Sequence, residues 1–127
     1  MNPHDAAHTL AKALRESVDF KELKDAQTAL KADHSARNML IDFRTEQLEM
    51  QKQQLSGIDI SSEQEEKLEK LFEVINMNTL IKRFLQAEYR VAILLRDVHK
   101  IIGDATGDII DPELMALPEE ETGDDET

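Results

Sequence analysis

The residues from Asn78 to Gly103 constrain this chain more than any other stretch. Leu80, Phe84, Ala87, Val91, Leu94, Val98 and Ile101–Ile102 recur at spacings of three and four. That rhythm places them on one face of a helix about seven turns long. Ile81, Leu85, Ala92 and Leu95 widen the arc, and Tyr89 and Ile93 lie further round, where a simple surface helix is polar. An arc this broad needs cover from more than one side. The helix is therefore expected at the centre of a bundle, with part of its cover supplied by a second copy of the chain.

The rest of the chain reads as four more helices. Asn2 before Pro3 suits a cap with proline at the first helical position. The first helix then runs to about Ser17 and is expected to bury Ala7, Leu10, Ala11 and Leu14. Asp19, with Glu22 three residues on, reads as an acidic capping box opening a second helix, with Val18 and Leu23 at staple positions. That helix runs to about Ala32, with Leu23, Ala26 and Leu30 inward. Asp33 suits the cap of a long third helix that stops at Ser56–Gly57, where glycine tolerates the left-handed conformation. Ser61 with Gln64, or Ser62 with Glu65, opens a fourth helix striped by Leu68, Leu71, Phe72 and Ile75. Asn78 caps the fifth, which either ends at Gly103 or continues as a frayed turn toward Ile110. Good helix formers dominate, and only 4 Gly and 3 Pro interrupt them. The predicted class is all-α, a five-helix bundle with two long helices, forming a helical dimer. Residues 1–110 are expected as one domain and residues 111–127 as a disordered acidic tail.

The third helix carries two apolar faces. Ala36, Met39, Leu40, Phe43 and Met50 share one. Ile41, Leu48 and Leu55, spaced by seven, fall roughly 100–140° away. The second face either meets another subunit or lies beneath a neighbouring helix of the same chain. With Tyr89 and Ile93, the residues Ile41, Leu48 and Leu55 are the candidate interface.

Charge and composition exclude several functions. The chain has a net charge of −12. The tail holds eight acids and no base, and the remaining nineteen acids face fifteen bases. Direct binding to nucleic acid or an anionic membrane is disfavoured, because phosphate contacts need Lys and Arg. No apolar run approaches the roughly 18–20 residues that span a bilayer, and the N-terminus lacks a signal-peptide pattern. A soluble, cytoplasmic protein is expected. There is no cysteine, hence no disulfide, thiol nucleophile or thiolate-held cluster. His4 and His8 flank Asp5 in a spacing that resembles zinc proteases, but the acid is Asp and no third ligand follows. Neither the Glu63–Glu66 run nor the tail has calcium-loop spacing. No catalytic, metal or cofactor-binding residue is assigned. Gln47, Gln51, Gln53 and Gln54 supply amides to a helix interface or simply face solvent. Arg83, Glu88, Arg90 and Arg96 are expected in ion pairs at i, i+4 or across chains.

Several short matches occur in a familiar order. The first helix carries Ala13-Leu14-Arg15-Glu16-Ser17, followed by Phe20 and Leu23. The third carries Asp33, Ala36, Phe43, Gln47, Gln51 and then Gly57. The fifth carries Asn78, Phe84, Ala87-Glu88 and Ile101-Ile102. Over about residues 5–105 the chain resembles the YlbF/YmcA family of small helical bacterial proteins, most of all its YheA-type branch. The resemblance implies a helical dimer or higher oligomer from the cytoplasm of a Gram-positive bacterium. It also implies a non-enzymatic regulator working through a protein partner, linked to competence, sporulation, biofilm formation or messenger-RNA maturation with ribonuclease Y. The alternative is a structural or chaperone-like oligomer. Some relatives hold iron–sulfur clusters on cysteines, and that cofactor cannot carry over here.

Overall fold

Side-chain caps set the helix boundaries in the computed structural model, which describes residues 1–114. Its helices are α1 (Pro3–Glu16), α2 (Val18–Ala32), α3 (His34–Leu55), α4 (Ser62–Asn76) and α5 (Thr79–Thr106), and the described residues include no strand. The fold is all-α, as the composition and periodicity require. The expectation for the acidic tail falls mostly outside the described residues.

Most caps are the expected ones. The Asn2 side chain accepts from the Asp5 N–H at 2.8 Å, Asp33 from Ala36 at 3.0 Å and Asn78 from Ile81 at 3.0 Å. Of the two candidate boxes, Ser61–Gln64 forms, with reciprocal bonds of 3.1 and 3.0 Å. The start of α2 differs from expectation. Ser17, not Asp19, is its cap: the hydroxyl accepts from the Phe20 N–H at 3.2 Å and donates to the Leu14 carbonyl at 2.7 Å. A hydroxyl both donates and accepts, so one serine ends α1 and opens α2; a carboxylate only accepts. Val18 thus becomes the first helical residue, is 81% exposed, and is not the outer half of a staple. Of the two ends open for α5, continuation past Gly103 is the one seen. The helix continues to Thr106, whose hydroxyl donates to the Ile102 carbonyl at 3.0 Å.

The chain divides into two compact units, Met1–Ala92 and the residues from Ile93 onward. The core of the first is a cluster of Leu30 from α2, Ala36 and Leu40 from α3, Ile75 from α4 and Ile81 from α5, flanked by Met39, Phe43, Leu80, Phe84 and Leu85. α3 and α4 run antiparallel, since successive pairs rise on one and fall on the other. Phe43 meets Phe72 with ring centroids 6.0 Å apart, Glu46 meets Lys67 at 3.2 Å, and Gln53 accepts from Gln64 at 2.7 Å. Glu22 of α2 holds Arg83 of α5 through two bonds of 2.9 and 3.1 Å. α1 buries nothing fully: Leu10 and Leu14 are half-buried, while Ala7 and Ala11 are exposed. Its packing against α2 covers only a narrow stripe. In the second unit Leu94, Leu95 and Val98 are half-buried, but Ile101 and Ile102, expected in the buried stripe, are exposed.

α3 ends in a Schellman turn. Gly57 adopts φ 78°, its N–H donates to the Gln54 carbonyl at 3.1 Å, and the Ile58 N–H donates to Gln53 at 2.8 Å. A Cβ at Gly57 would meet nothing within 4 Å. Gly57→Ala should therefore cost only backbone strain, about 1 kcal/mol, read as a lower urea midpoint with unchanged slope. The two-pronged bond from Arg83 holds the Glu22 carboxyl below the usual carboxylate value. A depressed carboxylate stabilises the fold above its unfolded pKa, about 4.3, and that contribution is lost as pH falls through the folded value. Arg83→Gln should open a stability gap from wild type at neutral pH that narrows at acid pH, as the Glu22 carboxylate is protonated. Parallel urea titrations at both pH values measure it, and a pH-independent gap would assign the loss to packing instead.

Candidate interaction surface

The exposed surface of α3 follows from its register. Ala36 and Leu40 are buried, and Met39, Phe43 and Met50 are half-buried against α4 and the core. Ile41, Leu48 and Leu55 point the other way and are 44%, 51% and 84% exposed. No described helix of the chain buries them fully, although Ile41 and Leu48 line a groove with Phe84 of α5.

Charge is segregated around the same helix. At 100° per residue, Asp42, Glu46 and Glu49 gather within about 60° of its circumference. Glu46 is the half-buried partner of Lys67 there. The exposed remainder of α3 from Ile41 to Leu55 carries no acid. It presents Gln47, Gln51 and Gln54 in a row beside Leu48. Arg44 is one of its two cations, and the guanidinium reaches Glu88 of α5 at 2.7 Å. Ile41, Thr45, Leu48 and Phe84 line the shallow groove beneath that bridge. On the α4 side a second open groove is lined by Phe43, Gln47, Met50, Leu68 and Phe72, together with Glu65, Glu66 and Glu69 of α4.

Tyr89 lies one residue beyond Glu88 on α5 and is 66% exposed. Ile93 is half-buried. Of the four charged residues singled out on α5, Arg83 reaches Glu22 and Glu88 reaches Arg44, so these two pairs link helices of one chain. The α3–α4 groove was not singled out from the sequence. Its signal was present in Phe43, Gln47 and Met50 at helical spacing opposite Leu68 and Phe72 at the same spacing.

The chemistry of this surface is that of binding. His4 and His8 are both exposed on α1, and among the described residues no group of three His, Asp or Glu side chains gathers around a common point. Without cysteine, the residues present do not fit a thiolate-held iron–sulfur cluster. No described helix is long and apolar enough to cross a membrane.

Comparison with known proteins agrees with the fold. The chain is 38% identical over 108 residues to a UPF0342 protein of Alkalihalophilus pseudofirmus, covering 85% of this chain and 92% of the relative. It is 41% identical over 102 residues to a UPF0342 protein of Symbiobacterium thermophilum, covering 80% and 91%. Among solved structures, a protein of unknown function (DUF964) from Bacillus stearothermophilus superposes with a TM-score of 0.72 at 25% identity, covering 84% of this chain and 93% of that one. YheA from Bacillus subtilis gives 0.63 at 26% identity, covering 87% and 100%. Bacillus subtilis RicA, solved in complex with RicF, gives 0.62 at 19% identity, covering 85% and 96%, and shares the fold. Residues 4–105 match the family model described as control of competence regulator ComK, YlbF/YmcA, and the chain belongs to that YlbF/YmcA family.

Proposed function

We propose that this protein is a non-enzymatic regulatory or adaptor protein of the cytoplasm that self-associates and engages a protein partner through helix faces. One observation carries the reading: α3 leaves an acid-free face, with Ile41, Leu48 and Leu55 in water, on a chain of net charge −12. Such a face costs solvation wherever it stays bare. Tyr89 and Ile93 on α5 complete the proposed contact set. The family's description as control of a competence regulator supports a regulatory role. The RicA–RicF complex supports association with other proteins as a working mode of this fold.

Burying one leucine side chain contributes roughly 1.5–3 kcal/mol, so placing a carboxylate there should weaken association by about tenfold or more. Light scattering on the full chain is expected to give the wild type a mass of at least two 14.5 kDa chains. Leu48→Asp should give a lower mass with unchanged helical circular dichroism. Equal masses for the two proteins would remove Leu48 from the interface.

A further inference from the structure

The groove between α3 and α4 differs from the outer side of α3 in its charge. Its bed is apolar, lined by Phe43 and Met50 from α3 and by Leu68 and Phe72 from α4. Phe72 is 51% exposed, although its ring lies 6.0 Å from that of Phe43. Glu65, Glu66 and Glu69 line the same groove, and among the described residues no Lys or Arg does. At 100° per residue, Glu65 and Glu69 fall within about 60° of Phe72 on α4, so acid runs alongside the apolar bed. We infer that this groove receives an amphipathic helix of another protein, one that carries Lys or Arg beside its apolar stripe. The inference rests on the partner binding proposed above and adds the partner's chemistry.

Length and charge decide the occupant. From Phe43 to Met50 the bed runs about 10 Å, at 1.5 Å of rise per residue. That is two helical turns, which suits anchors at i, i+3 or i+4, and i+7 on a docked helix. Met50 is unbranched and flexible, so the bed can adapt to the shape of an anchor. The acids are unanswered from within: among the described residues, none of the three is in an ion pair. Lys67 holds Glu46 of α3 at 3.2 Å instead, and Lys70 borders Glu66 in a separate shallow groove without pairing with it. The acids do not form a metal site either, since no three described His, Asp or Glu side chains gather around a point. A nucleic acid or an anionic membrane would set like charge against them. A second copy would bring a further net charge of −12. A basic helix brings the opposite sign and is steered to the groove by it.

Panning a display library of random helical peptides against the full chain tests this, with the variant Glu65→Lys/Glu69→Lys as the counter-target. Both glutamates are exposed, so the variant should keep the wild-type helical circular dichroism. Peptides held by the wild type and rejected by the variant should carry Lys or Arg beside apolar residues at i, i+3 or i+4, and i+7. In fluorescence anisotropy, a synthetic copy of the strongest should bind the variant about tenfold or more weakly, as like charges now meet. Its binding to the wild type should weaken as salt rises. Failure to enrich any peptide, an acidic or neutral consensus, equal binding to both proteins, or binding indifferent to salt would each overturn the inference. So would a lower mass for the variant in light scattering, which would make a second copy the occupant and leave the self-association reading standing. Wild-type chains that scatter as monomers and still select basic helices would end that reading and support this one.

Discussion

Everything in the first unit depends on one close meeting, where Leu30, Ile75 and Ile81 gather on the first turns of α3 around a fully enclosed Ala36. Its methyl group is fully enclosed, so a larger side chain there would have to displace closely packed neighbours. Asp33 makes the convergence local, since it alone separates α2 from α3 and caps the latter. The cost of this arrangement appears further along. From Leu40 to Leu55, α3 continues for about 22 Å, with α4 alongside and α5 reaching it near Phe84 and Glu88. A helix extended past its own core must leave one side open.

What occupies that open side decides how the protein behaves. Charged residues make up 33% of the chain, so an unbiased exposed face of this length would carry several. The acids of α3 crowd into one sector, and the open sector mixes aliphatic side chains and primary amides with two cations, Arg44 and Lys52. Neutral polar groups can satisfy one another at low cost, whereas a buried unpaired carboxylate is expensive. The ion pairs at the margins, Arg44–Glu88 and Glu46–Lys67, are partly exposed and contribute modestly. Their larger effect is to orient the edges of the face.

Much of this was legible in the sequence, because helix signals are local. The 3–4 rhythm of Leu80 to Val98, the caps at Asn2, Asp33 and Asn78, and the glycine stop at Gly57 are all read within a few residues. The two faces of α3 were legible for the same reason. The misreadings arose where one local rule competed with another. Asp19 and Ser17 are both good caps, and only the hydroxyl can serve two helix ends at once. At Gly103 the end of α5 stayed open, because propensity is weak against a helix already propagating on either side. Ile101 and Ile102 continue the apolar rhythm past the point where they are buried, since periodicity reports which face a residue occupies and not whether anything lies against it. Tertiary pairs were beyond reach: nothing near Arg44 or Glu22 names a partner on α5.

The claim at the centre is that the outer side of α3 is covered in the working protein. Carbene footprinting of the unmodified chain across a dilution series tests it directly, because carbenes insert into aliphatic side chains without regard to charge. Labelling of Ile41, Leu48 and Leu55 should rise together as the chain is diluted, while Val18 and Met77, exposed elsewhere, stay constant. Equal labelling of all five residues at every concentration would contradict the account.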